Sequence, residues 1–452
     1  MIIKNMAIQN NPVKPDNKFA DFCDKGIVFS MCAVIFVLPA SIALLDSFAA
    51  LAATFYLLKK INRMVIDWPS KASRLNTLER LVFIWKGFAP PVNFLNRPLQ
   101  IFTLAILISV IFSHFPALSF KAFIGKFTKC VFLYFSFLEA FTDKKRVHIF
   151  LYFFLASASI TVFNGVFQHF IGRDLLKGHI VAGGRLNSFF YTANGFGAYL
   201  VPVIGLVSHF LYTVISRKRP WIWAVGLAFF LVLLLACLCW SYSRSSWFGF
   251  FGIFFATAFL DWRKMLCALP IFLLCVIIFL PSLNRTRHMQ LVVYQDTGFQ
   301  KGESVESVLR QGGQGRIAFW EKAVSIIRSS PVWGTGLNTY IKIIKQDPDV
   351  NKWWYAHNCY LQLAAETGLT GLACFLWMLF VLFRNGLYYC HHIKDTWTLT
   401  LLQGAVSGLF GFLVQSFFDN TFYTVQLGVL MWLLFGLIVG LTRLNPSFQG
   451  ES

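Results

Sequence analysis

The chain has 452 residues, 57% of them hydrophobic and only 13% charged, with 40 lysines and arginines against 20 aspartates and glutamates. A soluble globular domain carries about a quarter charged residues, so this composition argues against an aqueous fold. The net charge of +20 does not point to nucleic acid: no zinc-ligand spacing, strand-borne aromatic pair or compact basic domain accompanies it, and the positive residues gather at the ends of apolar blocks, where orientation in a membrane accounts for them.

In chain order, Met1 to Lys25 is a long polar tail without the make-up of a cleavable signal peptide. Apolar blocks then predict helices near 26–42, 44–58, 98–115, 122–141, 147–168, 191–215, 221–240, 244–260, 265–281, 359–383, 399–417 and 422–440. A spanning helix needs about 20 residues, so the expected fold is an all-α, polytopic integral membrane protein with about twelve transmembrane helices. Leu81 to Phe94, apolar but broken by Gly87, Pro90 and Pro91, reads as an interfacial or re-entrant segment. The runs Lys59-Lys60 to Arg80, Lys144-Lys145-Arg146, Arg217-Lys218-Arg219 and Arg263-Lys264 fall on one side of this arrangement, which makes that side cytoplasmic. Lys121, Lys126 and Lys129 go against the trend and read as an interfacial turn at the start of the fourth helix.

The organisation expected is a cytoplasmic tail over 1–25, nine helices over 26–281, a large periplasmic loop over 282–357, three helices over 358–440 and a cytoplasmic tail over 441–452. Within the loop, Val305 to Gly315 is rich in Gly and Gln and reads as irregular. Arg316 to Ser330 reads as an amphipathic helix, with Ile317, Trp320, Val324 and Ile327 on one face. Pro331, Gly334 and Gly336 end it. The ten cysteines lie mainly in apolar stretches, and the loop has none before Cys359, so no disulfide framework is indicated. Asp347-Pro348-Asp349 fits turn chemistry better than a metal site. No metal and no cofactor are expected.

Four polar sites converge on the outer face. Arg185 precedes the sixth helix, Arg244 sits between two apolar blocks, Arg316 opens the loop helix, and His357-Asn358 leads into the tenth helix, followed by Gln362 and Glu366. An interfacial arginine can simply snorkel to lipid phosphates, and an interfacial histidine can be satisfied locally. Taken together, planar guanidiniums that stay charged suit a diphosphate, and a histidine can accept a proton near neutral pH. A lipid-diphosphate sugar donor needs both. Arg185, Arg244 and Arg316 would hold its phosphates, and His357 would deprotonate the acceptor hydroxyl.

These stretches resemble the O-antigen ligase/polymerase superfamily, which includes the lipopolysaccharide O-antigen ligases, the O-antigen polymerases and related bacterial oligosaccharyltransferases. The similarity runs through Gly184-Arg185-Leu186 with Asn194-Gly195, Ser243-Arg244-Ser245, Gly315-Arg316 to Trp320 with Ser330-Pro331 to Gly336, and His357-Asn358-Cys359-Tyr360-Leu361-Gln362 to Glu366-Thr367-Gly368-Leu369. Phe190-Tyr191-Thr192-Ala193 departs from the Gly and Asn-Pro-Asn turn often found in relatives. The resemblance implies a polyprenyl (undecaprenyl) diphosphate-linked glycan donor and metal-independent, inverting transfer at the periplasmic face of a bacterial inner membrane. It implies His357 as base, with Arg316 and Arg244 also acting on the reacting diphosphate, and Arg185, Asn358, Gln362 and Glu366 as further substrate-binding positions. The acceptor stays open between lipid A core, a growing glycan and a protein side chain, with ligase favoured. A lipid-linked glycan transporter or flippase is the rival, but the halves show no repeat and the notable charges cluster on one face.

Overall fold

A computed structural model describes residues 18–68, 77–176, 184–266, 305–346 and 355–444, with isolated positions at 178 and between 269 and 277. The ordered elements are helices: α1 (Lys18–Val37), α2 (Ile42–Asp67), α3 (Thr77–Gly87), α4 (Asn96–Ile111), α5 (Pro116–Ala122), α6 (Lys129–Ala140), α7 (Lys144–Ile171) and α8 (Ala193–Ser216). There follow α9 (Trp221–Trp240), α10 (Arg244–Leu260), α11 (Val305–Ser329), α12 (Tyr340–Ile344), α13 (Cys359–His392), α14 (Thr396–Gln415) and α15 (Val425–Arg443). Short polar residues start several of them in the way helix ends require. Asp143, Thr192, Ser243, Asn358 and Asp395 each accept a hydrogen bond from a first-turn backbone N–H.

Seven helices among the described residues are long and apolar enough to cross a membrane: α2, α7, α8, α9, α13, α14 and α15. The chain is thus an all-α, multi-pass membrane protein. That count falls short of the about twelve expected from apolar blocks, for identifiable reasons. The 16 residues of α4 and 17 of α10 reach only about 24–26 Å at 1.5 Å per residue, below the roughly 30 Å hydrocarbon core. Asp21, Asp24 and Lys25 dilute the first turns of α1. A π-helical turn at Phe123–Thr128, carrying Lys126, separates α5 from α6. Most of the block expected over 265–281 lies outside the described residues, as does much of the loop expected from 282. The 11 residues of α3 span about 16 Å, too short to cross, and a non-helical passage through Pro90 and Pro91 follows.

The stretch Val305 to Gly315, expected as loop, is helical: α11 runs unbroken from Val305 to Ser329. Glycine weakens a helix by about 1 kcal/mol per residue without forbidding it, and the Val, Glu, Leu, Arg and Gln residues between are adequate helix formers.

Three helices, α8, α10 and α14, cross at close range. A Cβ on Gly205 of α8 would lie 2.7 Å from the Gly408 Cα of α14, and one on Gly411 of α14 would lie 2.5 Å from the Gly249 carbonyl of α10. Small residues at these crossings let backbones touch, the main route to tight helix association without a hydrophobic drive. The start of α8, the start of α10 and the end of α14 are thereby held in fixed relation.

The loop docks onto a kink. Gly368 in α13 has φ 72°, and the turn after α11 sits in the break. Thr335 N–H donates to the Ala365 carbonyl (3.1 Å), Gly336 N–H to the Glu366 carbonyl (2.8 Å), and Leu369 N–H to the Pro331 carbonyl (2.8 Å). The two glycine-containing motifs around 331–336 and 366–369 are therefore two halves of one joint.

Candidate active site

Arg185 owes its position to a buried polar clamp. The Gln168 side chain, at the end of α7, accepts from the N–H groups of Asn187 (3.2 Å) and Ser188 (2.8 Å) and donates to Asn187 Oδ1 (2.8 Å). Asn164 Nδ2 donates to Ser188 Oγ at 3.0 Å. With the loop pinned, the half-buried Arg185 guanidinium donates to the Ser241 carbonyl (3.2 Å) and to Asn194 Oδ1 (2.7 Å). In place of an Asn-Pro-Asn turn, Thr192 caps α8 by accepting from Gly195 N–H at 3.0 Å.

Arg244 is the exposed first residue of α10. Tyr242 ahead of it adopts φ 48°, a left-handed conformation unfavourable for a bulky residue, and Ser243 caps the helix. Arg316 lies half-buried on α11. Arg244, Arg316 and the carboxylate of Asp419 all act electrostatically on Arg185, so the three guanidiniums share one neighbourhood. Burial, first, and then the two neighbouring guanidiniums lower the proton affinity of Arg185 against the opposite pull of Asp419; an arginine stays charged under such shifts.

His357 stands immediately before α13 with φ 48° and a side chain 24% exposed. Strained backbone of this kind costs of order 1–3 kcal/mol and clusters at functional sites. Its Nδ1 lies 3.2 Å from Asp419 Oδ1, which also accepts from Asn420 N–H at 2.8 Å. Burial works against the charge on Asp419. The His357 hydrogen bond and charge, the Asn420 N–H and Arg316 outweigh it and hold this carboxyl below its usual range. A carboxylate there receives Nδ1–H, leaving the Nε2 lone pair to accept a proton. The Phe319 ring of α11, centred 6.0 Å from the imidazole, brings the loop helix against it.

The remaining expected positions sit differently. Asn358 is buried and caps α13, its Oδ1 accepting from Tyr360 and Leu361 N–H, both at 3.0 Å. Gln362 Nε2 donates to Glu366 Oε1 at 3.2 Å. Glu366, also buried, accepts from Asn338 N–H at 2.7 Å. It faces a cavity of ≈ 120 Å³ shared with Lys126, Lys129 and Tyr423, in which none of the three arginines takes part. Lys126 Nζ donates to Asn338 Oδ1 at 2.7 Å, so this former outlier of the charge pattern belongs to the Glu366 network. Among the described residues no group of three metal-ligating side chains gathers; Asp347 and Asp349 lie outside them.

Asp419 is the residue sequence reasoning missed. It lies in a short polar break between two apolar helices, where Asp ordinarily signals a turn. The available signal was topological: alternating crossings put the 417–422 turn on the same face as His357.

A histidine–aspartate pair beside three guanidiniums, at one end of a helical membrane bundle, defines a site able to hold a phosphate-rich anion and accept a proton. The family model described as O-Antigen ligase matches residues 229–376, which carry Arg244, Arg316 and His357. Residues 229–376 are thus similar to the O-antigen ligase family, and the match supports an enzyme of that general glycosyltransferase type. No curated protein matches the chain.

Proposed function

We propose that this protein is an O-antigen ligase-type glycosyltransferase that moves a glycan from polyprenyl (undecaprenyl) diphosphate to an acceptor at the periplasmic face, with lipid A core as the acceptor. The observation that carries the reading is the His357–Asp419 contact of 3.2 Å, made within electrostatic reach of Arg316 and so of the arginine group. His357 Nε2 takes the proton of the acceptor hydroxyl as its oxygen attacks the anomeric carbon. The bond from that carbon to the diphosphate oxygen breaks, and the charge appearing on the leaving group falls on Arg185, Arg244 and Arg316. Attack opposite the leaving group inverts the anomeric centre. The arginines supply the positive charge this step needs, so the reading calls on no metal or cofactor.

The topology belonging to this reading has about twelve crossings, cytoplasmic termini and a periplasmic loop over 282–357. Shorter helices such as α4 and α10 then cross beside longer neighbours, with local thinning of the bilayer. Purified protein reconstituted with a polyprenyl diphosphate-linked glycan and candidate acceptors, chelator present, tests the reading by product size. One glycan on lipid A core establishes the ligase. A ladder of lengthening glycans would mean polymerase, and glycosylated protein would mean an oligosaccharyltransferase. Movement of intact donor across the bilayer without a new glycosidic bond would overturn the enzyme assignment.

A further inference from the structure

Gln415, the last residue of α14, is completely buried. Its Nε2 donates to the Asn194 carbonyl at 3.3 Å and to Ser246 Oγ at 2.9 Å. Both contacts lead to an arginine. Asn194 accepts from the Arg185 guanidinium through Oδ1. Ser246 Oγ donates to Ser243 Oγ at 2.7 Å, and Ser243 is the cap of the helix that begins with Arg244. One amide thus ties the anchor of Arg185 to the anchor of Arg244. Among the described residues its Oε1, equally buried, meets no hydrogen-bond donor. Leaving such an oxygen unmet costs about 1–3 kcal/mol, so a residue chosen for stability alone would be apolar here. The glycine crossings between α8, α10 and α14 already supply the packing.

We propose that Gln415 is a positioning residue that sets the spacing between Arg185 and Arg244 and so governs how tightly the donor diphosphate is held. The inference rests on the donor-phosphate role given to these arginines above. A diphosphate presents its two charged groups at a fixed separation, and guanidinium forks reward correct spacing more than charge alone. Gln415 touches neither arginine and acts only through Asn194 and Ser246.

The test is Gln415→Met, which keeps length and bulk while removing the amide, alongside Gln415→Asn, Arg185→Ala and Arg244→Ala, all at matched protein levels. Donor KM in Gln415→Met should rise roughly 3–30-fold, as expected for losing one or two hydrogen bonds that hold charged groups. Its kcat at saturating donor, the acid limb of its pH–rate profile and its melting temperature should stay near wild type. The double variant with Arg185→Ala should be little worse in donor KM than Arg185→Ala alone, because residues acting through one another are non-additive. Gln415→Asn, whose shorter amide cannot span both partners, should resemble Met. Unchanged donor KM in Gln415→Met while both arginine variants are impaired would overturn the inference and leave the functional reading intact. The same holds for fully additive losses, or for a lower melting temperature with KM unmoved. Full activity of both arginine variants would instead remove the functional reading, and the inference with it.

Discussion

Two groups of charges lie at opposite ends of α7, and their difference is instructive. Near its start, Lys59 bridges Asp24 (2.5 Å) and Glu139 (2.6 Å), Lys60 approaches Glu139 at 3.9 Å, and Arg443 donates to the Leu138 carbonyl. Cations and carboxylates alternate there, and the side chains of Lys59 and Glu139 are only 21% and 17% exposed. Near its other end, Arg185, Arg244 and Arg316 gather with His357 around Asp419. Charges kept out of water need compensation. The first group, three cations interleaved with two carboxylates, is nearly balanced and reads as a brace between α1, α2 and α6. Among the described residues the second sets three guanidiniums against the one carboxylate of Asp419, an arrangement suited to an anionic ligand.

Substitution at each end should separate brace from site. His357→Ala should produce the largest effect, cutting transfer about 10²–10⁴-fold in the reconstituted assay, the range of a lost general base. His357→Gln should be nearly as damaging, since Gln cannot take the proton; tolerance of Gln with reduced yield of Ala would make His357 structural. Arg316→Ala and Arg244→Ala should each cost roughly 10–100-fold in kcat/KM for the donor, the scale of a hydrogen bond to a charged group. Lysine should recover little, because a point charge does not reproduce the fork.

Asp419→Asn should be milder, roughly tenfold in rate, and carries a pH signature. The Asp419 carboxyl, held below the ordinary carboxylate range, contributes stability above that range and loses it as pH falls through its native value. The melting-temperature deficit of the variant should therefore be full at pH 7 and fade in acid. Glu139→Gln should leave kcat and donor KM near wild type and lower the melting temperature by a few degrees, the sign of a broken brace. Loss of transfer there in well-folded protein would erase the contrast between the two ends.

Much of the helical frame was readable from the chain. The block expected over 221–240 coincides with α9, and that over 244–260 with α10. Signals of this kind are local. A membrane helix satisfies all its backbone hydrogen bonds within the segment, so its length and edges appear as an apolar run with polar ends. Less was readable where a local preference is weak or overruled. The π turn at Phe123–Thr128 and the left-handed Gly368 leave no mark on hydropathy, and the glycines at 312, 313 and 315 imitated a loop where α11 forms.

The sequence by itself determined the class of protein and the residue types worth watching, because hydropathy, charge asymmetry and motif spacing are written along the chain. Only the tertiary structure decided which polar residues meet. It drew Arg185, Arg244, Arg316 and His357 into one neighbourhood and gave Glu366 to a different cavity. It also paired His357 with Asp419 across 62 residues of chain. That pairing depends on where α13 begins relative to where α14 ends, a relation fixed by the backbone bond from Cys359 N–H to the Ser416 carbonyl (2.9 Å). Contacts made by packing distant segments have no period or composition of their own, which is why Asp419 and Gln415 look like ordinary helix-end residues until the helices are assembled.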